Sequence, residues 1–184
     1  VGSTATEAYL KEGAEQGIPE RSHCQRRLAR GLEWYEIDTG PPPDAMFTYR
    51  VSHTPFLALN PNDYQCTNSL HKLFFKSEVG QPEQRWIQIS LLSCIGQLCL
   101  EQHGRHYGNG LLKIEPSSLK KVLTLAHEDP LPQNAYMKIS EAISRGHRRK
   151  ASKLADNLLK EVLGIDEDLL SSVYSALDNM RTRG

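Results

Sequence analysis

The sequence has no net charge and no long apolar run. Its 184 residues include 22 Lys and Arg against 22 Asp and Glu, so the formal net charge is +0. This balance gives no general attraction to nucleic acid or membrane, and any DNA binding must depend on local clusters of cations. Because no segment could cross a bilayer and no signal peptide is visible, we expect a cytoplasmic protein with no membrane partner.

The cysteines form no C-x-x-C pair. They lie at Cys24, Cys66, Cys94 and Cys99. We expect all four to be reduced, as in cytoplasmic proteins. An alternative is a metal site made of Cys99, His103 and His106, which would share one face of a helix. Because Gly104 interrupts this face and no second ligand cluster is visible, we favour a buried thiol beside solvated histidines and predict no metal.

Common catalytic motifs are also missing: the chain has no G-x-S-x-G, no H-E-x-x-H and no P-loop. The segment 60–63, "NPND", is close to the Asn/Asp-Pro-Pro-aromatic motif of amino-group methylation, but Asp63 cannot stack on a flipped base. The glycine-containing segment "YGNG" follows a predicted helix and does not open one after a strand, as a loop for S-adenosylmethionine would. We therefore predict no catalytic residue and no cofactor site in this chain.

The pattern of apolar residues predicts an α+β fold: a mixed α/β body with a small sheet around a buried helix, followed by a C-terminal helical tail. We interpret residues 1–20 as a connector or cloning remnant, residues 21–130 as the body, and residues 131–184 as the helical tail packed on it. The chain has the length of one medium domain. Because it begins with Val1 and not with Met, we expect it to be a fragment of a longer protein.

Runs of β-branched, aromatic and apolar residues predict strands in "LEWYEI", "MFTYRV", "FLALN" and "HKLFFK". Apolar residues at helical spacing predict one long buried helix from Glu83 to Gly104. The segment "YGNGLLKIEPSSL" predicts a turn, a short strand and a helical turn entered at Pro116. From residue 134 onward we predict three helices, the second ending at Gly164 and the third capped by Asp166.

Two long segments combine turn glycines, polar residues and spacing in a specific way: "PDAMFTYRVSHTPFLALNPNDYQCTNSLHKLFF" and "GRHYGNGLLKIEPSSLKKV". They resemble the C-terminal target-recognition region of DNA adenine-N6 methyltransferases from type II restriction–modification systems, and the resemblance extends from Arg21 to the C-terminus. It implies that residues 21–130 form a DNA target-recognition domain whose partners are double-stranded DNA and its own N-terminal catalytic domain. It also implies that S-adenosylmethionine is bound by that missing domain. Arg30 lies farther from Trp34-Tyr35 than is usual in the family, and "GNG" replaces a run of glycines.

A DNA duplex needs cations and hydroxyl groups at its phosphates, and amides or cations at its base edges. Residues of these types in the resembling segments and basic clusters are the predicted DNA contacts: Arg27, Arg50, Asn60, Asn68, Lys72, Arg105, Tyr107, Lys113, Arg148 and Arg149. Alternatives stay open for some of them. Asn60 and Asn68 fit turn formers, Tyr107 fits a ring buried under a tight turn, and Lys113 fits a solvated lysine.

The segments "RSHCQRRLAR" and "RGHRRKASK" concentrate cations. Such clusters either bind phosphates or form solvated corners near helix ends. A second hypothesis for the whole chain is a protein-interaction module that docks a partner subunit through its C-terminal helices. A cationic face on the folded chain would favour DNA recognition, and an exposed apolar patch would favour docking.

Overall fold

The structure, a computed structural model, describes residues 4–37, 39–52, 54–125, 127 and 129–183. Within these residues the chain forms eight α-helices and six strands. The helices are α1 (Thr4–Glu15), α2 (Ser22–Leu28), α3 (Gln81–Leu92), α4 (Cys94–His103), α5 (Pro116–Leu119), α6 (Gln133–Ser144), α7 (Arg148–Leu163) and α8 (Glu167–Arg183). The strands are β1 (Ala45–Thr48), β2 (Arg50–Val51), β3 (Leu57–Leu59), β4 (Leu70–Leu73), β5 (Arg105–Tyr107) and β6 (Leu111–Lys113). The predicted α+β class with a C-terminal helical tail is confirmed.

The chain divides into two compact units, residues 1–41 and residues 42–184. This division lies at neither of the predicted boundaries, residue 20 and residue 130. The first unit contains α1 and α2, so the predicted connector holds a helix. The predicted strand "LEWYEI" is wrong: these residues form a turn, in which Glu36 N donates to the carbonyl of Glu33 at 3.0 Å. The Trp34 ring instead packs so closely on Gly13 that a Cβ there would lie 2.8 Å from it.

The first sheet of the second unit has the strand order β3-β1-β4, and both pairings are antiparallel. Alternate residues of its central strand, Ala45 and Phe47, are fully buried. They pack with Leu91 and Leu100 of the helices behind the sheet. Burial on one face fixes the register, because a slip of one residue would expose Phe47. The strands predicted in "MFTYRV", "FLALN" and "HKLFFK" are confirmed.

The second sheet has the strand order β2-β6-β5, again antiparallel. The prediction missed β5, because all three of its residues are exposed and show no apolar alternation. The turn from β5 to β6 contains Asn109 and Gly110 at φ of 64° and 68°, a conformation that asparagine and glycine adopt most readily. The two sheets are joined through His71, whose Nε2 lies 2.6 Å from the carbonyl of Ile114.

The predicted single helix 83–104 is wrong: the chain breaks at Ser93, which adopts an extended conformation between α3 and α4. The Ser93 side chain donates to the carbonyl of Ser90 at 2.7 Å and accepts from Gly96 N at 3.2 Å. Asp156 of α7 accepts from Cys94 N at 2.7 Å. The backbone groups at the break thus find partners, and the cap of α4 comes from the break itself.

The helical tail matches the prediction. Gly164 ends α7 at φ +64°, and Asp166 Oδ1 accepts from Leu169 N at 2.7 Å at the start of α8. Buried Leu170 and Leu177 of α8 pack against Cys94 of α4. No helix in the described parts of the chain is long and apolar enough to cross a membrane.

The buried contact between α4, α7 and α8 predicts a loss of stability at high pH. Burial, and then the neighbouring Asp156 carboxylate, raise the pKa of the Cys94 thiol from 9.0 to about 12. The unfolded chain releases this proton above pH 9 while the folded chain keeps it. The contribution is therefore complete below pH 9 and is lost as pH rises towards 12, by about 1.4 kcal/mol per pH unit.

We expect Cys94→Ala to remove this dependence. Chemical unfolding followed by Trp86 fluorescence, in a Trp34→Phe background, should show a shallower fall in the free energy of unfolding between pH 9 and 11 for the variant than for the parent. Cys99→Ala, at a thiol whose side chain is less deeply buried, is the matched control and should keep the parental slope. Equal slopes for Cys94→Ala and the parent would contradict the assignment.

Candidate nucleic-acid interface

Three cations stand side by side across the second sheet. Arg50 of β2 is the cross-strand partner of Lys113 of β6, and Arg105 of β5 is the partner of Lys113 on its other side. Their neighbours Val51 and Leu112 are buried and face the core, so the three cations point to the opposite face by the alternation of side chains in strands. We call Arg50, Lys113 and Arg105 the cation row.

Aromatic rings border the cation row. The guanidinium of Arg50 and the ammonium of Lys113 lie 5.2 and 5.1 Å from the centre of the Tyr49 ring. Arg105 lies 5.3 Å from the centre of the Tyr107 ring, which is itself exposed. These distances are those of cation–π contacts. The rings lie against the long side chains over the sheet; Arg50 and Arg105 are exposed, whereas the Lys113 side chain is only 15% exposed.

The cation row is only partly neutralised. Lys113 forms an ion pair with Glu115. Hydrogen bonds, first with Glu115 and then with Tyr49, raise the pKa of Lys113, and the hydrogen bond with Lys113 lowers the pKa of Glu115. Among the described residues no carboxylate lies within salt-bridge distance of Arg50 or Arg105. Like charges directly opposite each other destabilise a sheet, so the row has an unfavourable arrangement that a bound polyanion would relieve.

A second concentration of cations surrounds a hollow of about 820 Å³ next to the start of α7. The charged and titratable residues that line this hollow are Glu101, His106, His147, Arg148, Arg149, Lys150 and Arg181. We call it the α7 hollow. Leu112 and His106, which alternate with the cation row along β6 and β5, also line it, so it lies on the other side of the second sheet. The predicted contacts Arg148 and Arg149 meet here, and Arg148 also stacks 4.6 Å from the centre of the Phe56 ring.

The amino-acid sequence of residues 2–160 matches the family described as "Type II methyltransferase M.Eco57I, C-terminal domain". The match covers well over half of the chain. The chain belongs to this family. The predicted kinship with the C-terminal region of a restriction–modification methyltransferase is thereby confirmed, and the matched range begins well before Arg21, where the resemblance was expected to start. No curated protein and no solved structure is significantly similar to the chain.

Because the chain belongs to this family, the positions of the other predicted DNA contacts matter. The prediction that Asn60 contacts DNA needs a correction. Its side chain is buried. The Nδ2 atom donates to the carbonyls of Pro43 at 2.7 Å and Tyr64 at 2.9 Å, and Oδ1 accepts from Tyr64 N at 3.0 Å. All of its hydrogen-bonding directions but one serve the backbone. Asn60 therefore closes the turn after β3 and presents no amide to a base edge.

Asn68, Lys72 and Arg27 are the remaining predicted contacts. Asn68 is exposed in the turn that leads into β4. Lys72 is half-buried within β4, and its ammonium donates to Gln65 Oε1 at 2.7 Å. Arg27 belongs to the first unit, where its guanidinium donates to the carbonyl of Trp34 at 3.2 Å. The structure thus brings together Arg50, Lys113, Arg105 and Tyr107 in one place, and Arg148 with Arg149 in another.

Sequence reasoning missed several residues of these surfaces. Tyr49 was not singled out, although the basic residue next to it is a usable signal for a ring under a cation. Arg181 enters the α7 hollow from α8 and binds Glu101 at 2.7 Å, a contact between distant parts of the chain that no local pattern reveals.

In the described part of the chain no three His, Cys, Asp or Glu residues could hold a metal ion together, and this includes the set of Cys99, His103 and His106.

Proposed function

We propose that this chain is the sequence-specific DNA-recognition domain of a site-specific adenine-N6 DNA methyltransferase of a restriction–modification system. The family supplies the class of protein. The adenine-N6 chemistry is supported by the resemblance of the two motif segments 43–75 and 104–122. The observation that carries DNA binding is the cation row with its bordering tyrosines.

The cation row is suited to phosphates. Arg50 and Arg105 flank Lys113 across neighbouring strands, and neighbouring strands lie about 4.8 Å apart. Three cations at this spacing can contact successive charges of a nucleic-acid backbone. Guanidinium groups bind phosphate oxygens in pairs, which fixes the register of the duplex as well as its distance.

Asn68 and Tyr107 are suited to contacts beside the phosphates. Asn68 lies two residues before β4, at the end of that strand where Leu70 pairs with Thr48, and Thr48 precedes Tyr49 at the border of the cation row. An exposed amide held at such an edge can pair with adenine in the major groove. Tyr107 is 39% exposed, so its ring can contact DNA while it also contacts Arg105. These two residues would read the sequence while the row holds the backbone.

S-adenosylmethionine belongs to the catalytic domain in this proposal, where it would supply the methyl group. The described glycines of "GNG" connect β5 to β6 and do not stand between a strand and a long helix, where a glycine-rich loop for S-adenosylmethionine would lie. No catalytic step is assigned to any residue of this chain. Its part in the reaction is to hold and orient the duplex.

Selection from a pool of random duplexes tests this function directly. The chain, immobilised and washed at increasing salt, should enrich one short sequence, and the logarithm of its affinity should fall with the logarithm of the salt concentration with a slope of about −3 or steeper. A matched pool of single strands should show no common sequence. Binding without enrichment would contradict sequence-specific recognition, and no binding at low salt would contradict DNA recognition altogether.

One observation favours the second hypothesis, a docking module. Val162, Leu163 and Leu169 are 42, 48 and 51% exposed around the turn between α7 and α8. Three partly exposed residues are few beside the roughly 20–30 residues per partner of a stable interface. This patch fits a small contact that accompanies DNA recognition better than a docking surface that replaces it.

A further inference from the structure

The α7 hollow has a positive electrostatic field that the folded chain does not neutralise. Arg148, Arg149 and Lys150 stand in the first turn of α7, which contains no acidic residue. Cations at the start of a helix oppose the positive end of its dipole, where acids are the stabilising choice. Among the described residues none of these three side chains has a carboxylate within salt-bridge distance.

Among the described residues that line the hollow only one is acidic, and it is already paired. Glu101 is buried, and its carboxylate accepts from Arg181 Nε at 2.7 Å. A second Arg181 nitrogen, Nη2, donates to Gln97 Oε1 at 3.3 Å. The His106 ring lies 3.1 Å from the carbonyl of Glu101. Within the described lining, four permanent cations from two helices thus converge on one cavity that contains one carboxylate.

The size of the hollow indicates more than a lone anion. Its volume is about 820 Å³, whereas a phosphate group fills only a few times the roughly 30 Å³ of a water molecule. Pockets of about 300–1,000 Å³ are typical of sites for small organic ligands. The lining combines the cations with Leu112, Thr54 and the ring of His106, which offer apolar contact and a flat surface to the rest of a ligand.

We infer that the α7 hollow binds a phosphate ester of nucleotide size, with Arg148, Arg149 and Lys150 on the phosphate. The inference does not rest on the proposed function, because the cation row lies on the other face of the second sheet. A free nucleotide and a nucleotide within a DNA strand share this chemistry. Either source would relieve the repulsion among the cations of the first turn of α7.

Calorimetric titration of the whole chain with deoxyadenosine 5′-monophosphate tests the inference, with deoxyadenosine as the phosphate-free comparison. We expect the nucleotide to bind one-to-one and the nucleoside not to bind. Arg148→Gln/Arg149→Gln should weaken nucleotide binding by about a hundredfold, because each of the two lost charge-assisted hydrogen bonds accounts for about tenfold. Glu101→Gln should strengthen it several-fold, since it removes the one opposing charge and keeps an acceptor for Arg181.

The controls separate this site from the cation row. Lys76→Gln makes the same type of charge change beyond the far end of β4 and should leave nucleotide affinity unchanged. Arg50→Gln should also leave it unchanged, even if DNA binding falls. Competition of the nucleotide with duplex DNA would identify a DNA strand as the source, and independent binding would identify a free nucleotide.

A site with millimolar affinity would be mostly occupied at about 10 mM nucleotide. Absence of binding by the wild-type chain at that concentration would overturn the inference. Equal binding of nucleotide and nucleoside would overturn it too. These two outcomes need no variant, so they decide the question even if the double variant does not fold.

Discussion

Replacing Arg50, Lys113 and Arg105 together with glutamine is expected to lower the affinity for duplex DNA by about 10²–10³-fold at about 0.1 M salt. Each phosphate contact contributes about 0.9 to the slope of log affinity against log salt, which corresponds to about eightfold in affinity at that concentration. The factors for three lost contacts multiply to a loss of affinity in the range of about 10²–10³-fold. The slope itself should become shallower by about three. Fluorescence anisotropy with a labelled duplex at several salt concentrations measures both quantities.

Stability distinguishes this role from a structural one. The three cations are cross-strand neighbours and repel each other, so the glutamine variant should unfold at the same temperature as the wild type or at a higher one. A matched variant with Lys11, Lys76 and Lys138 replaced by glutamine has the same net charge and leaves both cationic surfaces intact. It should lose far less affinity. Wild-type affinity and slope in the cation-row variant would show that DNA contacts another surface.

The sequence predicted the strands of the first sheet because their apolar residues alternate with half-exposed ones, as at Ala45 and Phe47. The second sheet was harder to predict. Its strands are two or three residues long, and β5 carries no buried residue at all. Short exposed strands depend on pairing with a partner elsewhere in the chain, and no local pattern encodes that partner.

The same limit applies to the candidate interface. Arg50, Arg105 and Lys113 were each expected to contact DNA, but they come from separate segments and only the strand register aligns them. Asn60 shows the reverse error. A short amide after a strand fits both a base reader and a turn former, and the choice depends on whether Pro43 and Tyr64 supply carbonyls nearby, as they do.

The break between α3 and α4 was missed for a different reason. Apolar residues continue at helical spacing on both sides of Ser93, and periodicity is insensitive to a single non-helical residue. The local signal is Ser93 followed three residues later by Gly96. A serine can cap a new helix, and the glycine is needed because the new helix starts against the end of the old one.

Gly96→Ala is therefore expected to destabilise the second unit by about 3 kcal/mol or more. A Cβ at this position would lie 2.1 Å from the carbonyl oxygen of Ser90 and 2.8 Å from the Cα of Leu91. These are backbone atoms of a buried helix end, and the Ser90 carbonyl is also held by the hydroxyl of Ser93. Alanine is favoured over glycine in a helix by only about 1 kcal/mol, whereas overpacking a core costs about 1–3 kcal/mol and more when the backbone must move. We therefore expect the steric cost to exceed the gain in helix propensity.

Gly108→Ala is the matched control, because a Cβ at Gly108 meets nothing within 4 Å and the residue needs no positive φ. Urea unfolding followed by Trp86 fluorescence, in the Trp34→Phe background, should give the control a free energy of unfolding close to that of the parent and Gly96→Ala a much lower one. Both the cation row and the α7 hollow are built partly on strands or helices that pack against α4. A stabilising or neutral effect of Gly96→Ala would mean that α3 and α4 can separate or straighten without loss of stability. The close packing at this break would then not be what stabilises the core of the second unit.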